Sequence, residues 1–310
     1  MAVIRKVLLA ASTNPWLREQ ATHRAFVRKS VSRFMPGEHV EDAIDAAVRL
    51  NTDGIGTILT RLGENLTSVD EAEEVTQHYI DVIDRIRDAA LDGQVSVKPT
   101  QLGFDLDPAI CTRNLLRIVE HADRAGVTPV WIDMESSPYV DPTLKLFRAA
   151  RERSRGVGVA LQAYLYRTAK DVEDLLPLGP AIRIVKGAYL ESAEVAYPHK
   201  ADVDENYYKL CVRLLEEDSI RRATLLHVAT HDARLADRVA RVMDERRVPR
   251  DSYEFAMLYG IQRAQQQRLA ASGRRLRVLI SYGEHWFPWY MRRLAERPAN
   301  IGFVVRNLFA

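Results

Sequence analysis

Eight short apolar runs alternating with longer stretches of helical periodicity predict an α/β fold closed into a (β/α)8, TIM-type barrel with N-terminal helices preceding it. Two further observations agree with this class. The length of 310 residues suits one such barrel plus an extension. No glycine-rich fingerprint follows the first run, as an open doubly wound sheet, the runner-up, would usually carry. The division is residues 1–53 as a helical extension and 54–310 as the barrel.

Taken in order, residues up to about Leu50 read as helical, broken at Pro36-Gly37, with Val40 to Leu50 amphipathic. After Asn51-Thr-Asp-Gly54 come the strand candidates: Gly56–Leu59, Val95–Lys98, Val127–Met134, Val157–Leu165, Ile182–Val185, Leu225–Ala229, Tyr253–Leu258 and Leu276–Ser281. Between them lie helical patterns over Val69–Ala90, Pro108–Ala125, Asp141–Arg153, Thr168–Leu176, Asp202–Glu217, Asp232–Asp244 and Ile261–Ala271. The last helix is expected to open after Pro288 and carries Arg292 and Arg293, with Tyr290 three residues before Arg293 and Glu296 four after Arg292.

Composition narrows the function classes. Hydrophobic residues at 47% and charged residues at 28% are ordinary for a soluble globular chain with one large core. A net charge of +2, with acidic residues interspersed among the arginines, gives no electrostatic case for nucleic acid. Cys111 and Cys211 lack metal-like spacing and predict a reducing compartment, hence the cytoplasm, without a disulfide framework. The start is basic then briefly apolar and reads as an amphipathic helix rather than a signal peptide.

In a barrel of this kind, chemistry sits at the C-terminal ends of the strands. Those ends hold Glu64, Lys98, Asp133 and Glu135, Gln162, Lys186-Gly187-Ala188, Thr230-His231-Asp232 and Leu258-Tyr259-Gly260. One such residue is ordinarily a cap or an ion-pair partner, whereas seven ends converging on one mouth argue for a site. Paired guanidinium forks such as Arg292 and Arg293 suit a carboxylate or a phosphate. Metal binding is weakly supported: His227 and His231 flank a strand end without a His-Glu-x-x-His motif, and His227 reads as a core histidine. A Schiff-base lysine at Lys98 or Lys186 remains a competing enzyme class, and a non-catalytic barrel a further one.

Val95-Ser-Val-Lys-Pro-Thr-Gln-Leu-Gly103, Ile132-Asp-Met-Glu135, Leu161-Gln-Ala-Tyr164, Ile182-Arg-Ile-Val-Lys-Gly-Ala-Tyr189, Ala229-Thr-His231, Tyr253-Glu-Phe255 and Tyr290-Met-Arg-Arg-Leu-Ala-Glu296, in this order, resemble the proline dehydrogenase family from about Gly54 to the C-terminus. The resemblance implies a distorted barrel binding FAD noncovalently, with L-proline oxidised to Δ1-pyrroline-5-carboxylate and electrons passed to a membrane quinone. It also implies that Arg292, Arg293 and Lys98 hold the substrate carboxylate, that Glu64 and Glu296 hold the arginines, and that Asp133 orients Lys98. Arg183 would sit near flavin N5, Gln162 would bond the isoalloxazine, and Lys186, Gly187, Ala188, Thr230 and His231 would line the rest of the cofactor. No metal is implied.

The family's last strand usually carries a tyrosine and a proline where this chain has Leu279 and Ser281, while Leu258 keeps an apolar wall and Thr60 stands where relatives often have aspartate. Loss of an aromatic wall predicts a wider pocket that accepts hydroxyproline or another modified cyclic amino acid. Any membrane contact is expected to be peripheral, at the inner membrane face, through the N-terminal helix or 303–310, although both runs read more readily as packing.

Overall fold

The computed structural model describes residues 31–63 and 66–296, with side chains as far as Met291. Expectations for residues 1–30, Glu64, the side chains of Arg292, Arg293 and Glu296, and 303–310 lie outside the described residues.

Eight parallel strands close in sequence order into a barrel, β1 pairing with β8. They are β1 Gly56–Arg61, β2 Gly93–Val97, β3 Val130–Ile132, β4 Val157–Gln162, β5 Ala181–Val185, β6 Leu225–Ala229, β7 Tyr253–Leu258 and β8 Leu276–Tyr282. Every predicted strand is present, and β6 and β7 match residue for residue. The third run is trimmed most, since its pairing with β2 extends only from Val130 to Ile132. Lys98 falls just past β2, as the extended residue before the turn Pro99–Leu102.

The connecting helices are α2 Val69–Asp88, α3 Pro108–Ala125, α4 Val140–Arg153, α5 Thr168–Leu175, α6 Lys200–Leu214, α7 Glu217–Arg221, α8 Ala233–Glu245, α9 Arg263–Ala271 and α10 Trp286–Glu296, with α1 Val40–Thr52 ahead of the barrel. Their starts follow from capping. Ser68 accepts from the Glu71 amide while Glu71 reaches back, a capping box for α2. Asp107 accepts from the Ala109 amide ahead of Pro108 at the first position of α3, which Gly126 ends at φ 72°. Two expectations are corrected. The helix expected over Asp202–Glu217 runs from Lys200 and stops at Leu214, and a separate short helix, α7, begins at Glu217. α10 opens at Trp286, before Pro288, which occupies the first turn where its missing N–H is not needed.

Alternation along the strands sends the two sets of side chains to different places. Leu59, Val95, Val130, Val157, Ile182, Leu226, Phe255 and Val278 join the helices in the large core. Ile58, Trp131 and Ala181, with Leu225 and Leu279 against them, form a separate cluster in the lumen. α1 packs across the outside of β8 and β1 and places Ala43, Ala46 and Ala47 in the large core. The thiols Cys111 and Cys211 are free and buried, and burial pushes that of Cys111 up to about 12 and that of Cys211 higher still. Among the described residues no helix is long and apolar enough to cross a membrane.

Candidate active site

The lumen carries charge in two layers. Near the N-terminal ends of the strands, Glu254 lies 2.8 Å from His227 Nε2 and accepts from Arg277 Nε, while Arg277 Nη1 also reaches Asp92 at 2.7 Å. Glu254 also pairs with Arg275. His227 is fully buried, so burial lowers its pKa and leaves a neutral imidazole; this bears out its reading as a core histidine. Burial alone would raise Glu254, but the His227 hydrogen bond and the Arg277 charge more than offset it and hold the carboxyl below its ordinary range.

Toward the C-terminal ends stands Arg183, 3% exposed, in the middle of β5. Its Nη2 donates to Ser96 Oγ at 2.8 Å and to Asp133 Oδ1, and Ser96 Oγ itself donates to Asp133 at 3.0 Å. Burial lowers the guanidinium pKa, and the charge and hydrogen bond of Asp133 oppose that lowering; an arginine stays cationic in a protein. Asp133, expected to orient Lys98, thus has Arg183 and Ser96 on its Oδ1. Ser96 was not singled out from the sequence, although it is two residues before Lys98 on the same face of β2. Trp131, two before Asp133, was likewise missed; strand alternation was the signal for both.

Gln162, the last residue of β4, donates through Nε2 to the carbonyls of Met134 at 3.3 Å and Glu135 at 3.1 Å. That fixes its Oε1 as a buried acceptor with no partner. On the neighbouring strand, Arg183 Nη1 is a buried donor with no partner. Glu135 accepts from the amide and hydroxyl of Thr100 at 3.2 and 2.9 Å, which ties the turn after β2 to the end of β3.

The rest of the rim is organised by ion pairs and one close approach. Lys186 Nζ sits between Asp204 and Asp232, at 3.1 Å from the latter, the arrangement of an ion pair rather than of a desolvated Schiff-base amine. Asp232 also caps α8 by accepting from Leu235 N at 3.3 Å, and Thr230 Oγ1 accepts from its amide at 3.1 Å. His231 Nε2 accepts from the Leu258 amide at 3.4 Å, which ties β6 to β7. Gly187 takes φ 116°, and a Cβ there would run into the ring of Tyr164. The flat group pressed against Gly187 is therefore the chain's own tyrosine, while Ala188 follows half-buried beside it. Leu258 and Leu279 are register partners on β7 and β8, both partly exposed to the lumen, and Ser281 is buried beyond them.

A model of the family described as proline dehydrogenase matches residues 43–306. The chain belongs to the proline dehydrogenase family. A protein named proline dehydrogenase from Deinococcus radiodurans is 38% identical over 309 residues, 98% of this chain and 97% of its own. Proline dehydrogenase 2 of Bacillus subtilis subsp. natto is 36% identical over 308 residues, 99% of both chains. Among solved structures, proline utilization A from Bdellovibrio bacteriovorus, inactivated by N-propargylglycine, superposes with a TM-score of 0.79 at 23% identity over 87% of this chain. Its counterpart from Corynebacterium freiburgense gives 0.74 at 20% identity over 99% of this chain. This chain spans about a third of each of those longer proteins, at 32% and 34%, so they speak to the fold.

Proposed function

We propose that the protein oxidises L-proline to Δ1-pyrroline-5-carboxylate with noncovalently bound FAD and passes the electrons to a membrane quinone. The observation that carries the cofactor is the pair of buried, unpartnered atoms on adjacent strands, the acceptor Gln162 Oε1 and the donor Arg183 Nη1. Buried polar atoms are normally satisfied, and a flavin ring offers both an N–H and several acceptors. Loss of a hydride from C5 of the ring and of the proton on nitrogen needs a two-electron acceptor, and FAD supplies that chemistry when bound. Arg183, kept cationic by Asp133, would stabilise negative charge developing beside it.

Lys98, with Arg292 and Arg293 from α10, would hold the substrate carboxylate and so orient the ring. Glu64 and Glu296 would keep those arginines paired. Lys186, Gly187, Ala188, Thr230 and His231 would line the remainder of the cofactor. The division into a helical extension, 1–53, and a catalytic barrel, 54–310, belongs to the same proposal, with α1 sharing the barrel's core. A cytoplasmic protein with peripheral contact at the inner membrane face fits a quinone acceptor.

A second substrate reading rests on Leu279 and Leu258, aliphatic and partly open to the lumen, with the small Ser281 beyond. Such a wall would suit hydroxyproline or another substituted ring. The test of the main reading is the visible spectrum of the purified protein, followed by anaerobic addition of proline. A yellow protein bleached by proline supports both cofactor and substrate; a colourless one, or a flavin that proline leaves oxidised, overturns the reading.

A further inference from the structure

Between the two ionic layers of the lumen lies one indole. Trp131 is fully buried, and its Nε1 donates to Gln94 Oε1 at 2.8 Å. Gln94 is itself anchored through Nε2 to the Thr128 carbonyl at 3.2 Å. The Arg183 guanidinium carbon lies over the ring, 4.9 Å from its centroid, and the His227 ring centroid lies 4.2 Å from that of the indole. The space is made by Gly158 on β4, where a Cβ would come within 2.7 Å of the indole edge. The result is a connected set of contacts: Asp133 with Arg183, Arg183 and His227 each with Trp131, and His227 with Glu254.

We infer that Trp131 is a positioning residue for Arg183, holding the guanidinium over its π face so that Nη1 stays free for the cofactor. The inference rests on the flavoenzyme reading above. Its physical grounds are three. An aromatic face attracts a cation most when both are out of water, as here. Hydrogen bonds account for Nη2 and leave Nη1 unbonded, so the indole is what fixes the plane of the fork. His227, the other ring against the indole, is kept neutral by burial and offers Arg183 no competing charge.

The test compares Trp131→Phe, which keeps a π face, with Trp131→Met, which fills much of the space without one; Trp131→Leu replaces the latter if it fails to accumulate. For each, the two-electron midpoint potential of the bound flavin is measured together with the rate constant for reduction by proline and the KM for proline. The Met protein is expected to reduce about tenfold more slowly, with its potential lower by about 30 mV, the equivalent of a tenfold weaker hold on the reduced flavin. KM should be unchanged, and the Phe protein should stay near wild type. A role confined to filling space would leave the potential in place. Equal potentials for the Phe, Met and wild-type proteins, or an equal fall for Phe and Met, overturn the inference. A wild-type protein that proline does not bleach fails the functional reading instead, and the two failures are thereby distinguished.

Discussion

His227 Nε2 lies 2.8 Å from Glu254 Oε2 on the floor of the barrel, with side-chain exposures of 0% and 2%. Since burial keeps the imidazole neutral, the carboxylate depends for its charge balance on Arg277, with Arg275 and Asp92 extending the network. Removing one member of a buried ionic set leaves the others uncompensated, at a cost of about 3–5 kcal/mol. Glu254→Ala is therefore expected to lower the urea midpoint by that much in stability with an unchanged slope. A loss under about 1 kcal/mol, the worth of an exposed pair, would show that the network contributes little.

Two histidines should make the protein acid-sensitive. His78, bonded through Nε2 to the Tyr282 hydroxyl at 2.8 Å, is lowered to about 4, chiefly by burial and then by the charge of Arg61. His227 is lowered by burial as well. The unfolded chain takes up these protons near the ordinary imidazole value while the native state does not. Their share of stability is thus whole above about pH 6.5 and is lost as pH falls toward 4. Tm measured across that interval should decline steadily, and His78→Asn should make the decline shallower. A Tm that is flat over the interval contradicts the assignment.

The proposed carboxylate clamp would have a kinetic signature. A charged hydrogen bond contributes about 1.5–3 kcal/mol, so Lys98→Met, Arg292→Met and Arg293→Met should each reduce kcat/KM for proline about tenfold to a hundredfold, mainly through KM. Flavin content should be retained. Wild-type values for Lys98→Met would remove Lys98 from the substrate site.

Leu279 should set ring preference. With Leu258 beside it and Ser281 beyond, Leu279→Tyr is expected to narrow the lumen and lower kcat/KM for trans-4-hydroxyproline relative to proline about tenfold, the worth of about 1.4 kcal/mol. An unchanged ratio means that Leu279 already fills the space.

Much of the architecture was legible in the sequence for a local reason. Strand alternation, capping pairs such as Ser68 with Glu71, and the Pro108 start of α3 act over a few residues, so the eight strands and the order of the helices could be read directly. The break between α6 and α7 and the early start of α10 were less legible, because Glu217 and Pro288 carry signals compatible with more than one boundary. Polar residues at the strand ends named Lys98, Asp133 and Gln162, while Arg183 came only from the resemblance to the family.

By itself the sequence determined the barrel, the family and the set of residues at its mouth, since periodicity and motif order are properties of the chain read along its length. The tertiary structure alone decided who meets whom. It gave Asp133 to Arg183 and Ser96, set Lys186 between Asp204 and Asp232, laid Tyr164 on Gly187 and placed Trp131 against both Arg183 and His227. Those pairs come from strands and loops far apart in sequence, and their register around a closed barrel is fixed by the packing of the whole sheet rather than by any local run of residues.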